Sequence, residues 1–87
     1  MNHFTLPRFW QHYNSLPENV RQLADKNYQL LRDNPFHPSL HFKKVGNKNH
    51  LWSVHIGIHY RALGLDKSEG VIWFWIGTHA EYNKLIG

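Results

Sequence analysis

The chain has 87 residues and a formal net charge of +4, and it contains no cysteine. This length has room for one domain, which we expect to span residues 1–87. The lack of cysteine excludes disulfides and thiolate metal sites, and no apolar segment approaches the ~20 residues of a membrane-spanning helix. Residues 1–4 do not resemble the start of a signal peptide. We therefore expect a soluble, cytoplasmic protein with no membrane partner.

Two helices are predicted first. The first spans residues 6–14, because apolar residues recur there at helical spacing, and Thr5 is its expected N-cap. The second opens with Ser15 to Glu18, which fit the S-x-x-E capping box. It ends near Asn34, because Pro35 disfavours helical geometry in the residue before it.

Four strands are predicted after a loop at residues 34–39, since the apolar period there changes from helical to alternating. They span residues 40–45, 51–57, 60–65 and 71–77, and the short turns between them predict antiparallel pairing. Residues 71–77 are apolar on both faces, so this strand should lie centrally with cover on both sides. A short last helix, residues 80–86, is expected to start from Thr78 as N-cap.

This order of elements predicts an α+β fold, with an N-terminal helical hairpin packed on one face of a four-stranded antiparallel sheet and a short C-terminal helix. The polar residues of the strands should look out from the other, partly open face. If the register holds, Ser53, His55, Arg61 and His79 converge there.

The middle of the chain is basic. No acidic residue occurs between Asp33 and Asp66, although this stretch contains Arg61, several lysines and five histidines. Such a segment is typical of a surface that meets phosphate or an acidic protein. The alternative is a basic face that only keeps the protein soluble.

Three stretches resemble the RelE/ParE toxin superfamily: residues 51–56 (Leu-Trp-Ser-Val-His-Ile), 60–64 (Tyr-Arg-Ala-Leu-Gly) and 75–82 (Trp-Ile-Gly-Thr-His-Ala-Glu-Tyr). Residues 34–38, together with Lys43 and Lys44, are similar to the family's linker between its helical hairpin and its sheet. The resemblance covers nearly the whole chain. It implies a RelE-like fold and the toxin of a type II toxin–antitoxin pair.

The resemblance leaves the activity open. Many members are ribosome-dependent endoribonucleases that cut messenger RNA and inhibit translation without a cofactor. The ParE branch instead inhibits DNA gyrase and needs no nuclease residues, and a third alternative is a silent homologue that only binds its antitoxin. The implied partners are an acidic, partly disordered antitoxin and, for a nuclease, messenger RNA on the ribosome.

Metal-free cleavage of RNA by its own 2′-OH needs a general base, a general acid and a cation at the phosphate. Histidine suits the first two roles and arginine suits the third. Arg61 resembles the strand arginine with which nuclease members hold the scissile phosphate. The alternative is an ordinary ion pair with a carboxylate such as Glu81.

His79 and Tyr82 resemble family residues at the mouth of the active site. As the residue after Thr78, His79 lies in the first turn of a helix, where positive charge is disfavoured and the neutral base form is favoured. The alternative for His79 is packing on Trp75. Tyr82 resembles a tyrosine that stacks on a base or binds the phosphate, and its alternative is an ordinary core residue.

His55 and Ser53 lie where nuclease members often carry two lysines, which is the main departure from the family. His55 is a candidate general base or acid, and Ser53 is a candidate RNA contact. Lys43, Lys44 and Lys48 are predicted to supply the missing charge for RNA, although each alone could be a solvated surface lysine.

A metal site is not expected, although the chain has eight histidines. His37 with His41, and His55 with His59, have the i, i+4 spacing that binds zinc on a helix. Both pairs fall in predicted loop or strand, where such side chains do not converge.

Overall fold

In the computed structural model, which describes residues 1–87, three helices pack with one five-stranded sheet. In chain order the elements are strand β1 (His3–Thr5), helices α1 (Pro7–Asn14) and α2 (Glu18–Asp33), a 3₁₀ turn (Pro38–Leu40), strands β2 (Lys43–Val45), β3 (Lys48–Ile56), β4 (Tyr60–Lys67) and β5 (Gly70–Thr78), and helix α3 (His79–Ile86). The strand order is β1-β5-β4-β3-β2, in which β2 to β5 pair antiparallel and β1 pairs parallel with β5. The predicted α+β class is confirmed. None of the helices is both long and apolar enough to cross a membrane.

The two faces of the sheet carry separate apolar clusters. On the helix face, the helical hairpin packs on the strands through a main cluster that includes Leu16, Val20, Leu31, Val54, Ala62 and Ile76. On the opposite face, which we call the α3 face, Tyr82 and Ile86 of α3 pack against Val45, Leu63 and Trp75. The α3 helix covers part of this face, where Ser53, Arg61 and Leu63 are also buried, so the face is less open than predicted.

A bulge in β5 determines which face of the sheet each of its large apolar side chains contacts. Gly64 of β4 pairs with Trp73 while Leu63 pairs with Trp75, so Phe74 is inserted without a partner. The insertion leaves Trp73 in the helix-face cluster and turns Trp75 toward the α3 face. A Cβ atom on residue 64 would lie 2.9 Å from Cε3 of Trp73, so the close approach of this indole requires glycine.

The main difference from the predicted fold is the fifth strand, β1. Its three residues are too few to show an alternating period, and it pairs with β5, which comes almost 70 residues later in the chain. The backbone N–H of Leu6 extends this pairing by donating to the carbonyl oxygen of Trp73 at 3.0 Å. Because β1 covers the outer edge of β5, β5 is an internal strand, but the centre of the sheet is β4.

The predicted caps of the first two helices are wrong. Thr5 lies in β1, where its Oγ1 accepts a hydrogen bond from Trp10 Nε1 at 2.9 Å. The Ser15 hydroxyl donates to the Gln11 carbonyl oxygen at 3.1 Å, and the N-cap of α2 is Pro17. In both cases the hydroxyl group forms a hydrogen bond other than the capping bond that was predicted for it.

The cap of α3 is as predicted. The Thr78 hydroxyl accepts from the Glu81 backbone N–H at 3.2 Å, and the Glu81 carboxylate accepts from the Thr78 N–H at 3.0 Å. This capping box fixes the point at which the chain leaves β5 and begins α3.

Two strand boundaries differ from the prediction. Leu40 ends the 3₁₀ turn instead of opening a strand, so β2 is limited to Lys43–Val45. Strand β3 begins at Lys48 instead of residue 51, because Gly46 takes a positive φ of 43° and lets the turn close within two residues.

The Leu40 side chain should be a main anchor of the linker between α2 and the sheet. It is fully buried, at 0% exposure, so Leu40→Ala should lower the free energy of unfolding by about 2–5 kcal/mol. Leu85→Ala is the matched control, because Leu85 is 57% exposed and should change stability little. Urea denaturation measures both, and equal effects would contradict the burial of Leu40 in the core.

Candidate functional site

Five cationic or titratable side chains meet where β3 and β4 join: His41, Lys43, His55, Arg61 and His79. We call them the basic cluster. His55 and Arg61 are directly paired across β3 and β4. The charges of Arg61, His41, Lys43 and His79 all act on His55. The cluster lies on the α3 face, since Arg61 is two residues from Leu63 on the same strand. The predicted convergence of His55, Arg61 and His79 is confirmed.

Arg61 is the one buried charged residue of the protein, with 7% exposure. Its Nη1 donates to the carbonyl oxygens of Tyr60 at 2.8 Å and Ile58 at 3.3 Å. Burial lowers the pKa of Arg61, although a guanidinium stays charged in proteins. Neutral carbonyls compensate a buried cation only in part, so this position favours an incoming anion.

No carboxylate pairs with Arg61. The two ion pairs of the protein join Arg32 to Asp33 and Lys44 to Asp66. Glu81, the alternative partner considered from the sequence, is held in the capping box of α3 instead. No carboxylate of the protein therefore neutralises the guanidinium.

His55 lies beside this cation as a neutral imidazole. Burial, together with the nearby charges of the basic cluster, lowers the pKa of His55 to about 4. Its backbone carbonyl accepts a hydrogen bond from Asn27 Nδ2 of α2 at 3.1 Å, which ties the strand to the helical hairpin. At neutral pH the ring is unprotonated and has a nitrogen that can accept a proton, although its low pKa makes it a weaker base than an ordinary histidine.

His79 and Tyr82 form the edge of the cluster on α3. His79 is exposed, and its backbone N–H donates to the carbonyl oxygen of His59 at 2.8 Å. The ring of His79 lies 6.3 Å from that of Tyr82, whereas the histidine that approaches Trp75 is His12, at 6.4 Å. The half-buried Tyr82 packs in the α3-face core. It is also close enough to act on the pKa of Arg61, in the direction opposite to the larger effect of burial.

Of the predicted RNA contacts, Lys43 lies in the basic cluster and Lys44 does not. Lys44 Nζ is 3.0 Å from the Asp66 carboxylate and 4.8 Å from the ring centroid of Trp52, which belongs to the helix-face core. Adjacent strand residues point to opposite faces, which explains the separation. Asp66 neutralises Lys44 in this position.

Ser53 and Lys48 are also set apart from the cluster. Ser53 is 2% exposed, so it cannot contact RNA directly in this conformation, and the prediction that it does is not supported. Lys48 begins β3, seven residues before His55, which corresponds to about 23 Å along an extended strand.

His41 also belongs to the cluster, although it was not predicted as a site residue. Its imidazole stacks on that of His55, with ring centroids 4.3 Å apart and an interplanar angle of 27°. His37, which has the i, i+4 spacing to His41, accepts a hydrogen bond from the Ser39 backbone N–H at 3.2 Å. No group of three or more His, Cys, Asp or Glu side chains is arranged to hold a metal ion.

A separate apolar cavity of about 320 Å³ lies on the helix face, between the helical hairpin and the sheet. Its lining includes the exposed aromatic residues Phe4, Trp10 and Tyr28. It contains none of the residues predicted for catalysis or RNA binding.

The low pKa of His55 should make stability depend on pH. Between about 4 and the ordinary value of 6.5, the unfolded chain binds a proton that the folded protein does not. The free energy of unfolding therefore rises with pH across this window. The part that depends on His55 is lost as pH falls through it.

His55→Gln should remove this part of the pH dependence, which urea denaturation at several pH values measures. His3, whose pKa is also lowered by burial, is present in both proteins, so the difference between them isolates His55. Parallel pH profiles for the two proteins would contradict the prediction.

Comparison with known proteins agrees with this fold. A chain of the RelB–RelE antitoxin–toxin complex from Methanococcus jannaschii is similar with a TM-score of 0.73 and 12% identity, over 97% of this chain and 99% of that chain. YafQ from E. coli strain BL21(DE3) gives 0.72 and 10% identity, over 93% and 96%. The isolated RelE toxin of E. coli gives 0.64 and 16%, over 98% and 97%.

At these identities the structural likeness shows the fold alone. No curated protein matches the chain in sequence. Residues 18–84, however, match the family described as the ParE-like toxin domain, and this segment is well over half of the chain. The chain therefore belongs to the ParE-like toxin domain family, as its resemblance to the RelE/ParE superfamily indicates.

Proposed function

We propose that this protein is the toxin of a toxin–antitoxin pair and that it cuts messenger RNA on the ribosome without a metal ion. The observation that carries the proposal is the buried, carboxylate-free Arg61 paired across the sheet with the neutral His55. A fixed cation and a proton acceptor side by side are what attack of a 2′-OH on the adjacent phosphate requires.

Each residue has a distinct role in this proposal. The Arg61 guanidinium binds the scissile phosphate and stabilises the charge that develops on it. His55 takes the proton from the 2′-OH, whose oxygen then bonds to phosphorus while the bond to the 5′-oxygen breaks. His79, exposed at the start of α3, donates a proton to that leaving oxygen. This assigns it the acid role, and not the base role that its place in a first helical turn suggested. Tyr82 stacks on a base or binds the phosphate beside Arg61.

Lys43 is the proposed contact to the RNA backbone, because it is exposed and belongs to the basic cluster. Lys48 is an outer contact at the far end of β3. Lys44 contributes less in this proposal, since Asp66 already neutralises it.

An antitoxin is the proposed protein partner. The Methanococcus jannaschii structure is an antitoxin–toxin complex with the same fold. Here, no acidic residue occurs between Asp33 and Asp66, so an acidic antitoxin segment would meet no like charge from this stretch. Messenger RNA on the ribosome is the proposed substrate, which places the protein in the cytoplasm.

Arg61→Ala should lower cleavage by about 10²–10³-fold, because the phosphate loses its charged donor. Arg61→Lys should retain part of the activity, and Arg32→Ala, which changes an exposed arginine of α2, should retain all of it. Primer extension on a defined message in a bacterial translation extract, with and without ribosomes, measures the cuts. Circular dichroism checks that each variant is folded.

An intact message with wild-type protein would reject the nuclease. The second candidate is then inhibition of DNA gyrase, which the match to the ParE-like family favours. It predicts DNA damage signalling in cells that express the toxin, and toxicity that does not change in Arg61→Ala.

Lys43→Ala and Lys44→Ala form a matched pair. Lys43→Ala should weaken binding to RNA and reduce the slope of log affinity against log salt by about one, whereas Lys44→Ala should leave both unchanged. Fluorescence anisotropy with a labelled RNA at several salt concentrations measures the affinity. An equal loss in the two variants would show that the basic cluster is not the RNA surface.

A further inference from the structure

His41 is held in place from both sides along the chain. Leu40 before it is fully buried, and Phe42 after it is buried and stacks on Trp52 with centroids 4.3 Å apart. His41 itself is exposed. Because Leu40 and Phe42 are both buried in the helix-face core, the side chain of His41 between them lies outside that core.

The backbone of His41 is unusual. Its φ of 45° and ψ of 44° are left-handed, and it is the one residue other than glycine with a positive φ. This conformation is unfavourable for a residue with a Cβ atom and often marks a functional site. The 3₁₀ turn before it is ordered by its own contacts, since His37 accepts from the Ser39 N–H and the His41 N–H donates to the Pro38 carbonyl oxygen.

The result of this backbone geometry is the stack of His41 on His55, 4.3 Å between ring centroids. We infer that His41 is a positioning residue, whose ring covers one face of the His55 imidazole and fixes its orientation beside Arg61. A glycine would adopt this backbone conformation without strain. The contact of the imidazole ring with His55 therefore explains why a histidine occupies the position.

The stack also affects the protonation of His55. The charged groups that act on His55 are Arg61 from β4, Lys43 from β2, His79 from α3 and His41 from the linker. Burial is the largest cause of the low pKa of His55, and the charge of His41 acts in the same direction. Loss of the His41 ring removes both its cover and its charge, so the pKa of His55 should rise.

Nuclear magnetic resonance titration of the histidine Cε1–H signals tests this in the whole protein. In His41→Gly, which suits the positive φ, the pKa of His55 should rise from about 4 toward 6.5. In His41→Phe, which keeps an aromatic cover, it should stay well below 6.5. His50→Ala, at the other end of β3, is the control and should leave the pKa of His55 unchanged. An unchanged pKa of His55 in His41→Gly would overturn the inference.

The catalytic consequence rests on the proposed nuclease function. In the ribosome-dependent assay, His41→Gly should lower kcat on the order of tenfold to a hundredfold with little change in KM, because a misaligned base slows the chemical step. His41→Phe should retain most of kcat. If wild-type protein cuts no RNA while the pKa of His55 still rises in His41→Gly, the nuclease proposal fails and the positioning role stands. If His41→Phe loses as much activity as His41→Gly, His41 acts on RNA directly and the inference is wrong.

Discussion

The burial of one guanidinium without a carboxylate is the constraint on which the site depends. The Arg61 guanidinium donates to the carbonyl oxygens of Gly57 and Ile58, in the turn that joins β3 to β4, and of Tyr60 at the start of β4. The same turn accepts the His79 N–H through the carbonyl oxygen of His59, so it also fixes the start of α3. This turn of three residues, Gly57 to His59, therefore helps to position both the guanidinium and the start of α3, which carries His79. A change in that turn would move the Arg61 guanidinium and His79 together.

Strand β5, which pairs with β4 beside this turn, also helps to leave the guanidinium without a carboxylate. Arg61 is paired with Gly77 of β5, where a Cβ atom would lie 3.0 Å from Oε1 of Glu81. The glycine lets the capping carboxylate fold back on Thr78, and that hydrogen bonding lowers the pKa of Glu81. The carboxylate nearest in sequence to the cluster is therefore stabilised as the cap of α3, where it serves the fold and leaves the guanidinium unpaired.

The sequence predicts those parts of this arrangement that depend on a regular period. Alternation along β3 places His55 on the α3 face, and a short turn places Arg61 opposite it. The strand β1 could not be predicted, because three residues carry no period and its partner is distant in the chain. Lys43 and Lys44 could not be told apart either, since one residue of register decides which of them joins the cluster. The left-handed backbone of His41 has no signal in a sequence without glycine or asparagine at that position.

The histidine at position 55 also bears on the main departure from the nuclease family. A lysine there would place a second permanent charge directly across the strands from a buried guanidinium, where like charges destabilise a pair. An imidazole avoids this repulsion, because burial and the surrounding cations keep it neutral. The same neutral form is the one that accepts a proton. With Arg61 held without a carboxylate, a histidine at position 55 is therefore compatible with the proposed metal-free cleavage, in which the permanent charge comes from Arg61 and the proton transfer from His55.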